Sequence, residues 1–189
     1  MVTVNLPVGS IKSVINIDDP NVNISIEEAM ELINSSDKPI RSMYSMPETC
    51  ENPNGVGKIV KYTHDINYIT KINKNKITSN NVINYHELVI RFNDNKEYTF
   101  IFPSYVKLFS RTTKTFVPVE YVKKSDMLID WKNLTAQVLS NNPVNFTPEE
   151  YYNIVINAND NSSSTFYING LLSYVYYNNF KEKEKTEEE

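Results

Sequence analysis

Apolar and polar residues alternate along most of this chain in short runs, the period expected of strands with one face buried. Residues 2–17, VTVNLPVGSIKSVINI, alternate in this way and are interrupted by Pro7 and Gly9, which predicts two short strands around a turn. The runs KIVKYT, INYITKI, YHELVIRF and KEYTFIF in the middle of the chain, and TFVPVEYV, DMLIDW, TAQVLS, NIVIN, STFYIN and LLSYVYY after it, are dominated by β-branched and aromatic residues and read as strands. Asn93, Asp94 and Asn95 separate two of these runs, and Asn169-Gly170 separates the last two. Both spacers tolerate the positive φ of a tight hairpin, and Asn-Gly is the stronger signal.

One segment departs from the period of two. In SIEEAMELIN, Ile26, Ala29, Met30 and Ile33 fall on one helical face, while Ser25 and Glu28 have the spacing of a capping box, which predicts a helix over 25–34. Thr147, Pro148 and Glu150 carry helix-start chemistry just ahead of the strand NIVIN, so one helical turn followed by a strand is expected there. Residues 42–57, rich in Pro, Gly and short polar side chains, read as an exposed loop. No solenoid-length repeat is present, so the pattern predicts one all-β, β-dominated domain over 1–180 with a single short helix, as a barrel or a sandwich.

Composition narrows the function. Of 189 residues, 40% are hydrophobic and 12% aromatic, enough to bury a core. The net charge of -4 lies partly in the terminal KEKEKTEEE, residues 181–189, which reads as a disordered tail. With 19 basic against 23 acidic residues there is no basic excess, so nucleic acid is not the expected partner. No apolar run reaches the roughly 18 residues of a membrane helix and no signal peptide precedes the first strand, so the expected setting is cytoplasmic or a virion, with no membrane partner. The abundance of Asn, Ile, Lys and Tyr is that of an AT-rich genome and is the basis for expecting a virus or bacteriophage component.

The order of segments resembles the hedgehog/intein (Hint) module, a horseshoe of short antiparallel strands that performs protein splicing and autoprocessing. Asn5-Leu6-Pro7-Val8-Gly9-Ser10-Ile11-Lys12 is similar to the family's first block, a nucleophile followed by a Gly-Thr-type turn and a strand, and Ser25-Ile26-Glu27-Glu28 to the segment after it. Residues 97–106, EYTFIFPSYV, resemble the strand and turn holding a T-x-x-H motif, and 116–128, FVPVEYVKKSDML, the block that follows, with Ser125-Asp126 for its Gly-Asp. Tyr152-Asn153-Ile154-Val155-Ile156 and 165–172, TFYINGLL, resemble the closing strands, whose Asn-Gly turn is the most specific feature. Together the blocks span roughly residues 5–177.

The reaction positions that the resemblance implies are filled by other chemistry. Asn5 stands at the nucleophile, Phe102 and Tyr105 at the T-x-x-H pair, and Tyr174 and Val175 at the closing His-Asn. An amide does not attack as a thiol or hydroxyl does, and a phenol is a poor acid or base near neutral pH. The resemblance therefore implies a catalytically inactive Hint-like domain, used as a structural or protein-binding module, with no cofactor and no metal. A self-processing domain using Ser10 or Ser13 as a displaced nucleophile is the alternative.

Other chemistry is sparse. His64-Asp65 and His86-Glu87 lack the converging ligands of a zinc site. No G-x-S-x-G elbow supports a serine triad, and with only 4 Gly there is no phosphate-cradling loop. Cys50 lies between Glu48 and Glu51, whose charges disfavour a thiolate. Without a signal peptide the sequons at Asn133, Asn145 and Asn161 read as chance. Tyr174, Tyr176 and Tyr177 could present stiff contact area to a protein partner, and a homo-oligomer or viral assembly is the corresponding expectation.

Overall fold

The structure, a computed structural model, describes residues 2–15, 23–36, 40–41, 50–51, 59–60, 68–78, 82–132, 134–157 and 165–175. In chain order the strands are β1 (Val2–Pro7), β2 (Ser13–Ile15), β3 (Asn23–Ser25), β4 (Ile40–Arg41), β5 (Cys50–Glu51), β6 (Ile59–Val60), β7 (Tyr68–Lys76), β8 (Tyr85–Arg91), β9 (Glu97–Pro103), β10 (Val106–Ser110), β11 (Thr115–Pro118), β12 (Met127–Ile129), β13 (Thr135–Val144), β14 (Glu150–Asn157), β15 (Thr165–Ile168) and β16 (Leu171–Val175). Helix α1 (Ile26–Ser36) follows β3, and a 3-10 turn at Val119–Tyr121 follows β11.

The strands form two main antiparallel sheets. One has the order β1-β14-β7-β4; the other runs β15-β16-β10-β12-β13-β8-β9, with β11 paired to β10. Two ribbons, β2-β3 and β5-β6, complete the set. One apolar cluster draws residues from both main sheets, from the β2-β3 ribbon and from α1, with Leu6, Ile72, Leu88, Phe102 and Phe166 fully buried. The β-dominated reading and the alternation behind it therefore hold.

The helix begins as its capping signal requires. The Glu28 N–H donates to Ser25 Oγ at 3.1 Å, and Ile26, Ala29 and Ile33 are buried while Met30 packs at the margin. It runs two residues beyond the expected end. Its polar face is tied to the first sheet: Glu27 pairs with Lys74 at 2.6 Å and accepts from the Tyr152 hydroxyl, and these two contacts hold the Glu27 carboxyl below its usual range.

The expected helical turn at 147–150 is absent, and β14 starts at Glu150. The Glu149 carbonyl accepts from Ile77 N–H at 2.8 Å and the Glu150 carbonyl from Val8 N–H at 2.9 Å, so both are committed to neighbouring strands. Long-range pairing overrides a local helix-start signal, as it commonly does for short segments. The loop reading of 42–57 lies mostly outside the described residues, although Cys50–Glu51 within it is a strand. The tail 181–189 and His64 also lie outside them.

Those two bonds set the phase of the first sheet. In an antiparallel ladder hydrogen-bonded and non-hydrogen-bonded pairs alternate, so Val2, Val4 and Leu6 exchange bonds with β14 while Thr3, Asn5 and Pro7 turn their backbone groups to the outer edge of β1. That edge is where the candidate site lies.

Candidate functional site

Asn5 and Asn153 face each other as a non-hydrogen-bonded pair, the arrangement that brings side chains closest. Asn153 Nδ2 donates to Asn5 Oδ1 at 2.8 Å. The outward Asn5 carbonyl accepts from the hydroxyl of Tyr105 at 2.5 Å, across 100 residues of chain, and both residues are buried. Tyr105 reaches it from the turn between β9 and β10. Burial raises the Tyr105 phenol well above its ordinary value, so it stays protonated and acts as a donor throughout the physiological range.

Val175, at the end of β16, is the register partner of Val106, the residue after Tyr105. Asn5, Tyr105 and Val175, which the resemblance places at nucleophile, histidine and closing-asparagine positions, therefore converge on one end of β10. Phe102 does not join them through any polar contact. It is fully buried on β9, a register partner of His86 and an edge-on neighbour of Phe100 at 6.2 Å. Tyr174 pairs with Lys107 and Thr165, is half-buried, and sets its ring 6.2 Å from Phe116. Tyr176 and Tyr177 lie outside the described residues.

The β15-β16 hairpin is locked onto the N-terminal segment by its own turn. Asn169 has φ 56° and Gly170 φ 80°, the left-handed pair that Asn-Gly supplies. The Asn169 side chain, buried at the turn, donates to the Ser10 carbonyl at 3.0 Å and accepts from Lys12 N–H at 2.7 Å, and its N–H donates to the Ser13 carbonyl at 3.1 Å. Ser10 itself is buried, its hydroxyl donating to the Pro7 carbonyl at 2.7 Å, and Ser13 sits in β2 opposite Ser25. Gly9, at φ +100°, lets this turn lie flat on Phe146, whose ring would be 3.0 Å from a Cβ there.

Sequence reasoning assigned no role to Asn153 or to the Asn169 side chain. Their partners are distant in the chain, and no local signal marks either contact. The hairpin is closed from its other side by Asp130, which bridges to Leu171, while Trp131 N–H donates to the Gly170 carbonyl at 3.1 Å. Asp130 Oδ1 accepts from the N–H groups of Lys132 and Leu134 at 2.9 and 2.8 Å.

Burial raises the Asp130 carboxyl above its ordinary value in spite of those bonds. A carboxyl with a raised folded-state pKa opposes folding when ionised, and the opposition fades as pH falls through that value toward the unfolded one near 3.9. Asp130→Asn keeps the Oδ1 acceptor and removes the charge. The melting temperature of wild type relative to Asp130→Asn is therefore expected to rise as the solution is acidified from pH 7, which parallel melts across that range check.

His86 is engaged elsewhere, its Nδ1 2.9 Å from Asn141 Oδ1, and Asn141 in turn donates to the Val119 and Val122 carbonyls. Among the described residues no group of three His, Cys, Asp or Glu is placed to hold a metal ion. No described helix is long and apolar enough to cross a membrane. At the convergence point the groups present are the Asn5 amide, the protonated Tyr105 phenol and the Val175 side chain.

No family model matches the chain, and no curated protein matches it. Among solved structures, a bacterial intein-like domain from Clostridium thermocellum is similar over 92% of this chain and 99% of its own, with 8% identity and a TM-score of 0.51. A DnaB intein from Synechocystis sp. PCC 6803 (9% identity, 93% and 100% covered, TM-score 0.48) and an intein from a hyperthermophile (15%, 91% and 99%, 0.48) are also similar. The chain has the intein-like Hint fold.

Proposed function

We propose that this chain is a catalytically silent Hint domain that serves as a structural or protein-binding module. The observation that carries the reading is the convergence of Asn5, Tyr105 and Val175. The segments that resemble the reactive blocks meet in space, and what meets is an amide oxygen network and an aliphatic side chain. Asn5 accepts from both Tyr105 and Asn153, so these positions hold the fold together instead of waiting for a substrate bond.

The self-processing alternative asks Ser10 or Ser13 to attack. Ser10 Oγ spends its proton on the Pro7 carbonyl inside a tight turn and the flanking carbonyls are held by Asn169, an arrangement that favours a structural role. A viral or phage particle remains the proposed setting on composition, and the C-terminal aromatic run the proposed partner-facing region. Tyr174 packs on Phe116, so Tyr176 and Tyr177 carry that part of the proposal.

Intact mass tests the silence of the isolated chain. Held for days with and without added thiol or hydroxylamine, it is expected to give one species at full length. Fragments ending near residue 10 or 175 would overturn the proposal and favour the displaced serine.

A further inference from the structure

We propose that β9 is a self-pairing edge through which two copies of this chain join their large sheets. This pairing goes beyond the reading above and does not depend on the reaction positions being silent. Phe92 N–H donates to the Lys96 carbonyl at 3.0 Å and Ser104 N–H to the Asn84 carbonyl at 2.8 Å, which fixes the phase of the β8-β9 ladder. Tyr98, Phe100 and Phe102 bond to β8, and Glu97, Thr99 and Ile101 turn their N–H and C=O groups outward. β9 is the last strand of its sheet, and among the described residues those outward groups have no hydrogen-bond partner.

The outer edge of β1 differs around Asn5 and Pro7. From Asn5 to Pro7 the outer edge of β1 is closed by the Tyr105 hydroxyl on Asn5, by Pro7, which has no N–H, and by Ser10, whose N–H and hydroxyl donate to the Pro7 carbonyl. β9 has none of these devices along its length: its ladder runs without the register shifts seen in the β13-β8 and β14-β7 pairs, and its only proline, Pro103, ends the strand. An unbroken open edge of this kind templates another strand.

The occupant follows from the strand's complementarity to itself. Hydrogen-bonded pairs across the new edge must join outward residues, and the two-fold register that uses all three places Thr99 opposite Thr99 of the second copy and Glu97 opposite Ile101 of the second copy. It forms three reciprocal pairs. Tyr98, 44% exposed on one copy, then lies directly opposite Phe100 of the second copy as a close non-hydrogen-bonded pair, extending the stack Tyr98 already makes with its own Phe100 at 5.9 Å. Aromatic pairs and a Thr-Thr pair are favoured across strands, and no like charges meet, since Glu97 faces an isoleucine and keeps Arg91 at 3.5 Å. A single strand pair is a small interface, so the dimer is expected to form in the micromolar to millimolar range, roughly.

Sedimentation velocity from about 1 µM to 1 mM should show a monomer-dimer equilibrium. Thr99→Lys, which sets two like charges opposite each other at the two-fold, should weaken the dimer by about fivefold or more. Thr99→Pro removes the outward N–H and leaves the β8-β9 hydrogen bonds in place, and should abolish dimerisation with the fold retained. Hydrogen-bonded antiparallel partners have Cα atoms about 5.5 Å apart, within disulfide reach, so Thr99→Cys in a Cys50→Ser background should oxidise to a covalent dimer. A chain that stays monomeric throughout, whether or not it then captures an extended segment of another protein, overturns the proposal. So does a dimer indifferent to Thr99→Pro that fails to cross-link through residue 99.

Discussion

Asn169→Ala is expected to destabilise the domain by about 3–5 kcal/mol, the largest effect of any single substitution at the site. The change leaves the Ser10 carbonyl and the Lys12 N–H without their partner and forces alanine into the left-handed region at φ 56°. Asn169→Gly separates the two costs, because it relieves the backbone and still loses both side-chain bonds; it should recover roughly 1 kcal/mol of the deficit. Asn169→Asp keeps an acceptor for Lys12 but turns a carboxylate oxygen toward the Ser10 carbonyl, and should fall close to alanine. Denaturant melts of the three variants check the order. A near-wild-type Asn169→Ala would mean that the hairpin and the N-terminal segment are held together by other contacts.

Tyr105→Phe should cost about 1–3 kcal/mol, because the phenyl ring fills the same buried volume while the Asn5 carbonyl loses a donor inside the core. The loss should be local as well as global. Asn5 lies on the outer edge of β1, so amide exchange should quicken along Thr3–Leu6 more than in β14, whose other edge is held by β7. Uniform acceleration across the first sheet would show instead that the hydroxyl serves the core in general.

The β class was legible because strand propensity and alternation agree over most of the chain, and Ser25 with Glu28 marked α1 without ambiguity. Asn169-Gly170 announced its hairpin. What that turn does beyond reversing the chain was not legible, since its side chain bonds to residues 157 and 159 positions away. The same holds for Asn5, which looked only like a missing nucleophile until Tyr105 and Asn153 were seen to close around it. Thr147-Pro148 misled for the converse reason: its signal is local, while the Glu149 and Glu150 carbonyls are claimed by Ile77 and Val8, the residues that follow β7 and β1. Alternation also gave no hint that β9 ends its sheet with its outward groups unpaired, because strand order is a property of the assembled ladder.

On the proposed function, this intein-like fold performs no peptide-bond chemistry at its converged positions. This is tested most directly by placing the whole chain between two stable reporter domains and following the fusion by mass spectrometry for several days, with and without thiol. One unbroken three-part protein is expected. Ligated reporters, an excised chain, or release of either reporter by scission near residues 5, 10 or 175 would contradict it.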